Sequence, residues 1–278
     1  MTLLESSRKR AEDMGDSLPS HDIRRHSAVQ MQLQLFRGLR SVAPGYSHEA
    51  TSPSIATARR DYDLPDVSQR GTRKPLGGAL KRAFDVSAAL GGLMVLAPIM
   101  LFVALLVLVT MGRPVFFAQQ RVGFGRSPFR CFKFRTMVRD AQEKLAQYLA
   151  ENPEAAVAWR DTQKLKHDPR VTWLGGLLRK TSLDELPQLW NILRGEMSCV
   201  GPRPVLSSEL TRYGAHAEEY TKAKPGLTGI WQVSGRSNTT YAHRINCDRF
   251  YVRRWSFGLD MMIILRTIPA VMRFRDTA

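Results

Sequence analysis

Val86 to Met111 reads VSAALGGLMVLAPIMLFVALLVLVTM, 26 consecutive residues without a charge. As a straight helix it reaches about 39 Å, enough to cross a hydrocarbon core of about 30 Å. Buried helices of soluble proteins rarely run so long without a charge, so the segment is expected in lipid. Lys81 and Arg82 precede it, and Arg113, Arg121, Arg126 and Arg130 follow it. Positive charge on both flanks favours the cytoplasmic side for both ends. Pro98, near the middle, removes one helical hydrogen bond and kinks the helix. A bent helix that enters and leaves the same leaflet meets both observations. An ordinary spanning helix with a proline kink is the other reading.

The sequence before this segment is different in kind. Residues 1–76 are rich in Ser, Arg, Asp and Pro and lack sustained apolar periodicity. They are expected to be a disordered polar, basic tail, with one short helix near Val29–Leu39. No apolar stretch lies near Met1, so a secretory signal is not expected. Net charge is +16, of which residues 1–78 carry +3 and residues 79–278 carry +13. That excess fits a surface facing anionic lipid or phosphates. Nucleic acid is the weakest partner, because no recognition helix, zinc finger or RNA-binding pattern accompanies the charge. Three cysteines without C-x-x-C spacing argue against a disulfide scaffold, and the six histidines form no zinc pattern.

After Gly112-Arg113-Pro114 the texture changes. PVFFAQQRV and PFRCFKFRTM are β-prone runs separated by Gly-Phe-Gly-Arg-Ser, which predicts a β-hairpin. Asp140 to about Leu165 is helical, interrupted at Pro153. Asp168 to Thr172 is a turn into the next helix. Trp255 to Met272 is apolar but broken by Asp260, Arg266 and Pro269. It suits either a helix lying in the membrane interface or a core-packing amphipathic helix.

Chemistry concentrates in RKTSLDELPQLWNILRGEMSCVGPRP, Arg179 to Pro204. Ser182-Leu183-Asp184-Glu185 has the form of a capping box, with Ser182 as N-cap and Glu185 reaching back. Gly195 is a natural stop for that helix. The same geometry serves chemistry. A helix N-terminus offers free N–H groups to an anion and lowers the pKa of a carboxylate there. An ionised Asp184 can attack phosphorus to form an acyl phosphate. Glu185 can hold Mg²⁺, and arginines clamp the spread charge. Arg203 is fixed between prolines, and Arg236 is a further candidate clamp.

Four segments together resemble the bacterial sugar transferase family: KFRTM (133–137), residues 179–204, KPGLTGIWQVSGR (224–236) and DRFYVRRWS (248–256). The resemblance covers about residues 78–275. These are monotopic phosphoglycosyl transferases that transfer a sugar phosphate from a UDP-sugar to polyprenyl phosphate, release UMP and need Mg²⁺. It implies an α+β, helix-rich, membrane-associated catalytic domain with a small hairpin and interfacial amphipathic helices. The membrane-inserted segment is then 77–113, re-entrant at a break. The region 114–278 lies on the cytoplasmic face of the bacterial inner membrane. By motif position it makes Asp184 the nucleophile and Glu185 a Mg²⁺ ligand. Arg179, Arg203 and Arg236 match phosphate- and nucleotide-contacting arginines, and Lys133 and Asp248 match other substrate-binding positions. Two departures stand out. The family's helix-breaking Ser-Pro is Ala97-Pro98 here, and Glu196 replaces a common Asp. The implied role is priming of exopolysaccharide synthesis with galactose or glucose phosphate. Other enzymes of that synthesis or a second copy of the chain are the protein partners left open. Two alternatives stay open at this point: a basic membrane-anchored binding protein without chemistry, and a glycosyltransferase that releases UDP. The second is weakened by the lack of a clear D-x-D motif.

Overall fold

The computed structural model describes residues 74–162, 165, 167–234 and 240–272. The expected helix near Val29–Leu39, nearly all of the polar tail, and Arg236 lie outside the described residues. The first element, α1 (Gly78–Met111), starts after Gly77 at φ 84° and stops at Gly112 at φ 73°. Both are positive-φ positions that glycine adopts without steric cost. Pro98 lies inside the helix, which is assigned continuously through Ala97-Pro98. Its length and apolarity suffice to cross a membrane, and only 11% of its most apolar window is buried against the rest of the chain.

One stripe of α1 nevertheless packs. Lys81, Asp85, Ala89, Val103 and Val107 are buried, at four-residue spacing within each half. Leu93 and Leu96 join a cluster with Phe129, Leu189, Ile192 and Met197. Val103 and Val107 join another with Phe134, Leu174 and Leu178. The residues that follow therefore pack along both halves of the helix.

The hairpin forms as the alternation predicted. β1 (Phe116–Val122) and β2 (Pro128–Phe134) pair antiparallel, Phe116 opposite Phe134 and Val122 opposite Pro128. Pro153 divides the next helical stretch into α2 (Ala141–Glu151) and α3 (Pro153–Thr162). Thr172 caps α4 (Trp173–Thr181), its hydroxyl accepting from Gly175 N–H at 3.0 Å. Gly175 admits no side chain, because a Cβ there would fall 1.9 Å from Thr136 O. That contact holds α4 directly on the residues that follow β2.

A 3₁₀ turn, Leu183–Glu185, leads into α5 (Gln188–Arg194), which ends at Gly195 with φ 80° as expected. Asn191, fully buried on α5, accepts from Phe132 N–H at 3.0 Å and donates to Arg130 O at 2.7 Å. It locks α5 to β2. β3 (Ser198–Val200) pairs in parallel with β4 (Gly226–Thr228). Between them run the short α6 (Ser207–Leu210), a 3₁₀ segment Thr211–His216, and α7 (Ala217–Tyr220). α8 (Ile230–Ser234), α9 (Tyr241–Arg253) and α10 (Phe257–Met272) complete the domain. α10 buries Leu259, Asp260 and Ile263 while exposing Leu265 and Ile268. One face is thus core-packing, and other apolar residues are left outside.

Candidate active site

The capping box does not form. Ser182 is instead the left-handed C-cap of α4, at φ 59°, and its side chain caps nothing. α4 needs such a residue to end, and the turn that follows uses a backbone bond, Glu185 N–H to Ser182 O at 3.2 Å. Glu185 is released from capping and reaches Lys133 on β2, Oε1 to Nζ at 2.6 Å. Asp184 Oδ2 lies 3.8 Å from the same ammonium. One lysine thus faces two carboxylates.

Asp184 is 7% exposed. Burial pushes its carboxyl up to about 6, and Glu185 beside it adds to the rise, while Lys133 and Arg179 oppose it. This corrects the expectation of a lowered pKa. The residue sits on a short buried turn rather than on the first turn of a long helix, so desolvation outweighs any helix-end effect. Arg179, on the last turn of α4, donates from Nε to Thr136 Oγ1 at 3.0 Å. Its own pKa is lowered by burial, with Asp184 and Asp168 opposing.

A narrow cleft opens beside this turn, lined by Lys133, Glu185, Arg203, Arg121, Gln188 and Gln232 among others. Of the residues expected at the site, Lys133, Glu185 and Arg203 line this cleft, and Asp184 and Arg179 do not. Arg121, Gln188 and Gln232 were not expected there. The sequence marks Arg121 only as flanking charge, yet the hairpin pattern carries the signal. Arg121, Cys131 and Lys133 fall on one face of a two-residue repeat, and all three line the cleft.

Arg203 is held by its backbone. Asp248 on α9 accepts the Arg203 N–H. The Tyr220 hydroxyl lies 3.2 Å from Arg203 O and accepts from Val205 N–H at 3.3 Å. Arg121 donates to Pro204 O at 3.2 Å. With the turn gripped, the guanidinium stands 5.2 Å from the Trp231 ring centroid. Asp248 itself is buried and accepts from the Tyr213 hydroxyl at 2.6 Å. Burial pushes its carboxyl up to about 6, countered first by the Tyr213 hydrogen bond. It is not among the residues lining the cleft. The structure places it in the support of Arg203, whereas Lys133, Asp184 and Glu185 meet directly.

Beneath the cleft, glycine backbones cross at close range. A Cβ on Gly226 would fall 2.1 Å from Gly201 N, and one on Gly229 would fall 2.3 Å from Gly201 O. Side chains are excluded there by sterics alone.

Paired carboxylates on a cation and a rigid arginine turn thus sit in a domain packed along a helix long and apolar enough to cross a membrane. Residues 76–274 match the bacterial sugar transferase family. The chain belongs to that family. It is 48% identical over 221 residues to the exopolysaccharide production protein ExoY of Rhizobium meliloti (strain 1021), covering 80% of this chain and 97% of that protein. It is 46% identical over 199 residues to the undecaprenyl-phosphate galactose phosphotransferase of Salmonella typhimurium, covering 72% of this chain but 41% of that longer protein. It is 38% identical over 226 residues to the UDP-glucose:undecaprenyl-phosphate glucose-1-phosphate transferase of Caulobacter vibrioides, covering 76% and 79% respectively.

Proposed function

We propose that this protein transfers a hexose 1-phosphate, galactose or glucose, from a UDP-sugar to undecaprenyl phosphate and releases UMP, the first step of an exopolysaccharide pathway. The single observation that carries the reading is Lys133 held against both Asp184 and Glu185 at the edge of an arginine-lined cleft. The relatives named for undecaprenyl-phosphate galactose and glucose-1-phosphate transfer support the substrate class.

In the proposed mechanism, Asp184 Oδ attacks the β-phosphorus of the UDP-sugar. The bond to the bridging oxygen breaks, and UMP leaves with that oxygen. A phosphate oxygen of the lipid then attacks the same phosphorus, freeing the Asp184 carboxylate and giving the lipid diphosphosugar. Lys133 offsets the negative charge of the two carboxylates as a third anion approaches. Arg203 and Arg179 supply hydrogen-bond donors to the phosphoryl oxygens. At pH 7 a carboxyl near 6 is mostly ionised and retains nucleophilicity.

Mg²⁺ belongs to the same proposal. The described residues hold no cluster of three or more metal-ligating side chains. Two consecutive carboxylates still fit an ion that takes one or two carboxylates together with substrate phosphates. Glu185, which lines the cleft, would hold it, with Asp184 alongside. Bound there, the ion supplies charge neutralisation across the diphosphate.

The membrane topology rests on how α1 is pinned. Near its N-terminus, Lys81 pairs with Asp260 at 2.6 Å, and Arg82 donates to Ile192 O and Leu193 O at the end of α5. Past its C-terminus, Arg135 donates to Gly112 O at 2.8 Å and Arg113 O at 3.0 Å. Both ends of the apolar segment bind one domain, which supports entry and exit on the same, cytoplasmic, face of the inner membrane. The outward apolar residues of α1, such as Met94 at 79% exposed, and the indole of Trp173 at 84%, suit contact with lipid.

The test is covalent. Enzyme given UDP-sugar without lipid acceptor should gain the mass of one phosphosugar on Asp184, with a matching burst of UMP. Glu185→Gln should need more Mg²⁺ for the same burst. An adduct on any other residue, or no adduct while turnover with lipid persists, would refute the mechanism.

A further inference from the structure

Gln232 lies on α8, next to Trp231, the ring that carries the Arg203 guanidinium. It lines the cleft, yet its amide oxygen is buried and meets no hydrogen-bond donor among the described residues. A buried carbonyl without a donor is costly in a finished fold and is satisfied when a ligand brings one. It lies over Gly229, where a Cβ would come 3.0 Å from that oxygen. Gly226, Leu227 and Pro204 line the same cleft, together with Arg203, Arg121 and Lys133.

We infer that Gln232 reads the base of the donor nucleotide, its amide oxygen accepting the imide N3–H of uracil. The inference rests on the proposed UDP-sugar reading. If the β-phosphate meets Asp184 beside Lys133, the α-phosphate falls to the next cations, Arg203 and Arg121. The nucleoside then follows onto the surface that carries Gln232. Uracil suits Gln232: its one N–H donor on the pairing edge lies between two carbonyl acceptors. A carboxamide complements that edge, its oxygen taking N3–H and its NH₂ giving to a neighbouring carbonyl. Rotation of the amide by 180° would exchange the two roles. Ribose or hexose hydroxyls are the competing donors, and the experiment separates them.

Calorimetry on the detergent-solubilised full chain measures binding of UDP, N3-methyl-UDP and 2′-deoxy-UDP to wild type, Gln232→Leu and the similarly sized Gln232→Met. Wild type should bind N3-methyl-UDP at least about tenfold more weakly than UDP. Both variants should bind UDP about tenfold more weakly than wild type and treat UDP and N3-methyl-UDP alike within about twofold. An equal penalty for N3-methylation in wild type and variants overturns the assignment. So does a variant that loses its response to 2′-deoxygenation, or to deoxygenation of the hexose in the donor, instead of to N3-methylation. If neither variant folds, equal binding of the two nucleotides by wild type overturns it alone, and a wild-type donor penalty for N3-methyl-UDP-sugar but not for the 2′-deoxy donor upholds it. Failure of the parent reading looks different: nucleotide binding sensitive to N3 but no phosphosugar adduct on Asp184.

Discussion

Asp184→Asn should abolish UMP release and make the protein more stable. Asp184 is 7% exposed, and burial holds its carboxyl at about 6 against an ordinary 3.8. A group whose folded pKa is raised binds its proton more tightly in the native state. The fold is then favoured at low pH, and that advantage is lost as pH rises through about 6. At pH 7 the buried charge costs on the order of 3 kcal/mol, from about two pKa units at 1.36 kcal/mol each. Asparagine keeps the shape without the charge, so most of that cost disappears. For a domain of this size the melting temperature should rise by about 6–12 °C at pH 7. Near pH 3 the aspartate is neutral and the two proteins should melt together. The assay is intrinsic fluorescence of the five tryptophans during heating in detergent at both pH values, with UMP release measured in parallel. If Asp184→Asn melts at or below wild type at pH 7, the burial argument is wrong. If it releases UMP at the wild-type rate, the nucleophile is wrong.

Four further outcomes follow from the same geometry. Rate against pH should fall on the acid side with a midpoint near 6, as Asp184 gains its proton, and Lys133→Met should move that midpoint upward by removing the nearest cation. Asp248→Ala should lower turnover by roughly tenfold or more through disorder of the Arg203 turn, whereas Asp248→Asn, which can still accept the Arg203 N–H, should recover part of it; identical rates in both would remove Asp248 from any support role. Lys81→Met leaves Asp260 buried and unpaired and should cost about 3–5 kcal/mol, seen as a large drop in melting temperature that Lys81→Met/Asp260→Leu restores in part. Cysteine tags near Gly78 and Gly125 should both be shielded from an impermeant periplasmic reagent, and labelling at one of them would show a spanning helix.

What the sequence determined alone was local. The hairpin, the division at Pro153, the stop at Gly195 and the apolar helix each follow from backbone preference or side-chain period within a few residues. The family's motifs also named Asp184, Glu185, Lys133 and Arg203 before any contact was known. Tertiary structure decided the rest. Ser182-x-x-Glu185 satisfies the capping-box pattern, but the end of α4 claims Ser182 first, so the pattern reads falsely. Lys133 and Glu185 are 52 residues apart, and only the docking of α5 on β2 through Asn191 brings them to 2.6 Å. The pKa of Asp184 is set by burial in a turn whose neighbours, Leu183 and Leu186, pack on the cluster formed by Val103, Val107, Phe134, Leu174 and Leu178. Asp248 carries the same carboxylate as a ligand-binding residue, yet long-range packing turns it toward the Arg203 backbone. Short-range order is written in φ, ψ preferences and periodicity. Solvent access, charge pairing and pKa depend on neighbours distant in the chain, and these exist only once the fold has closed.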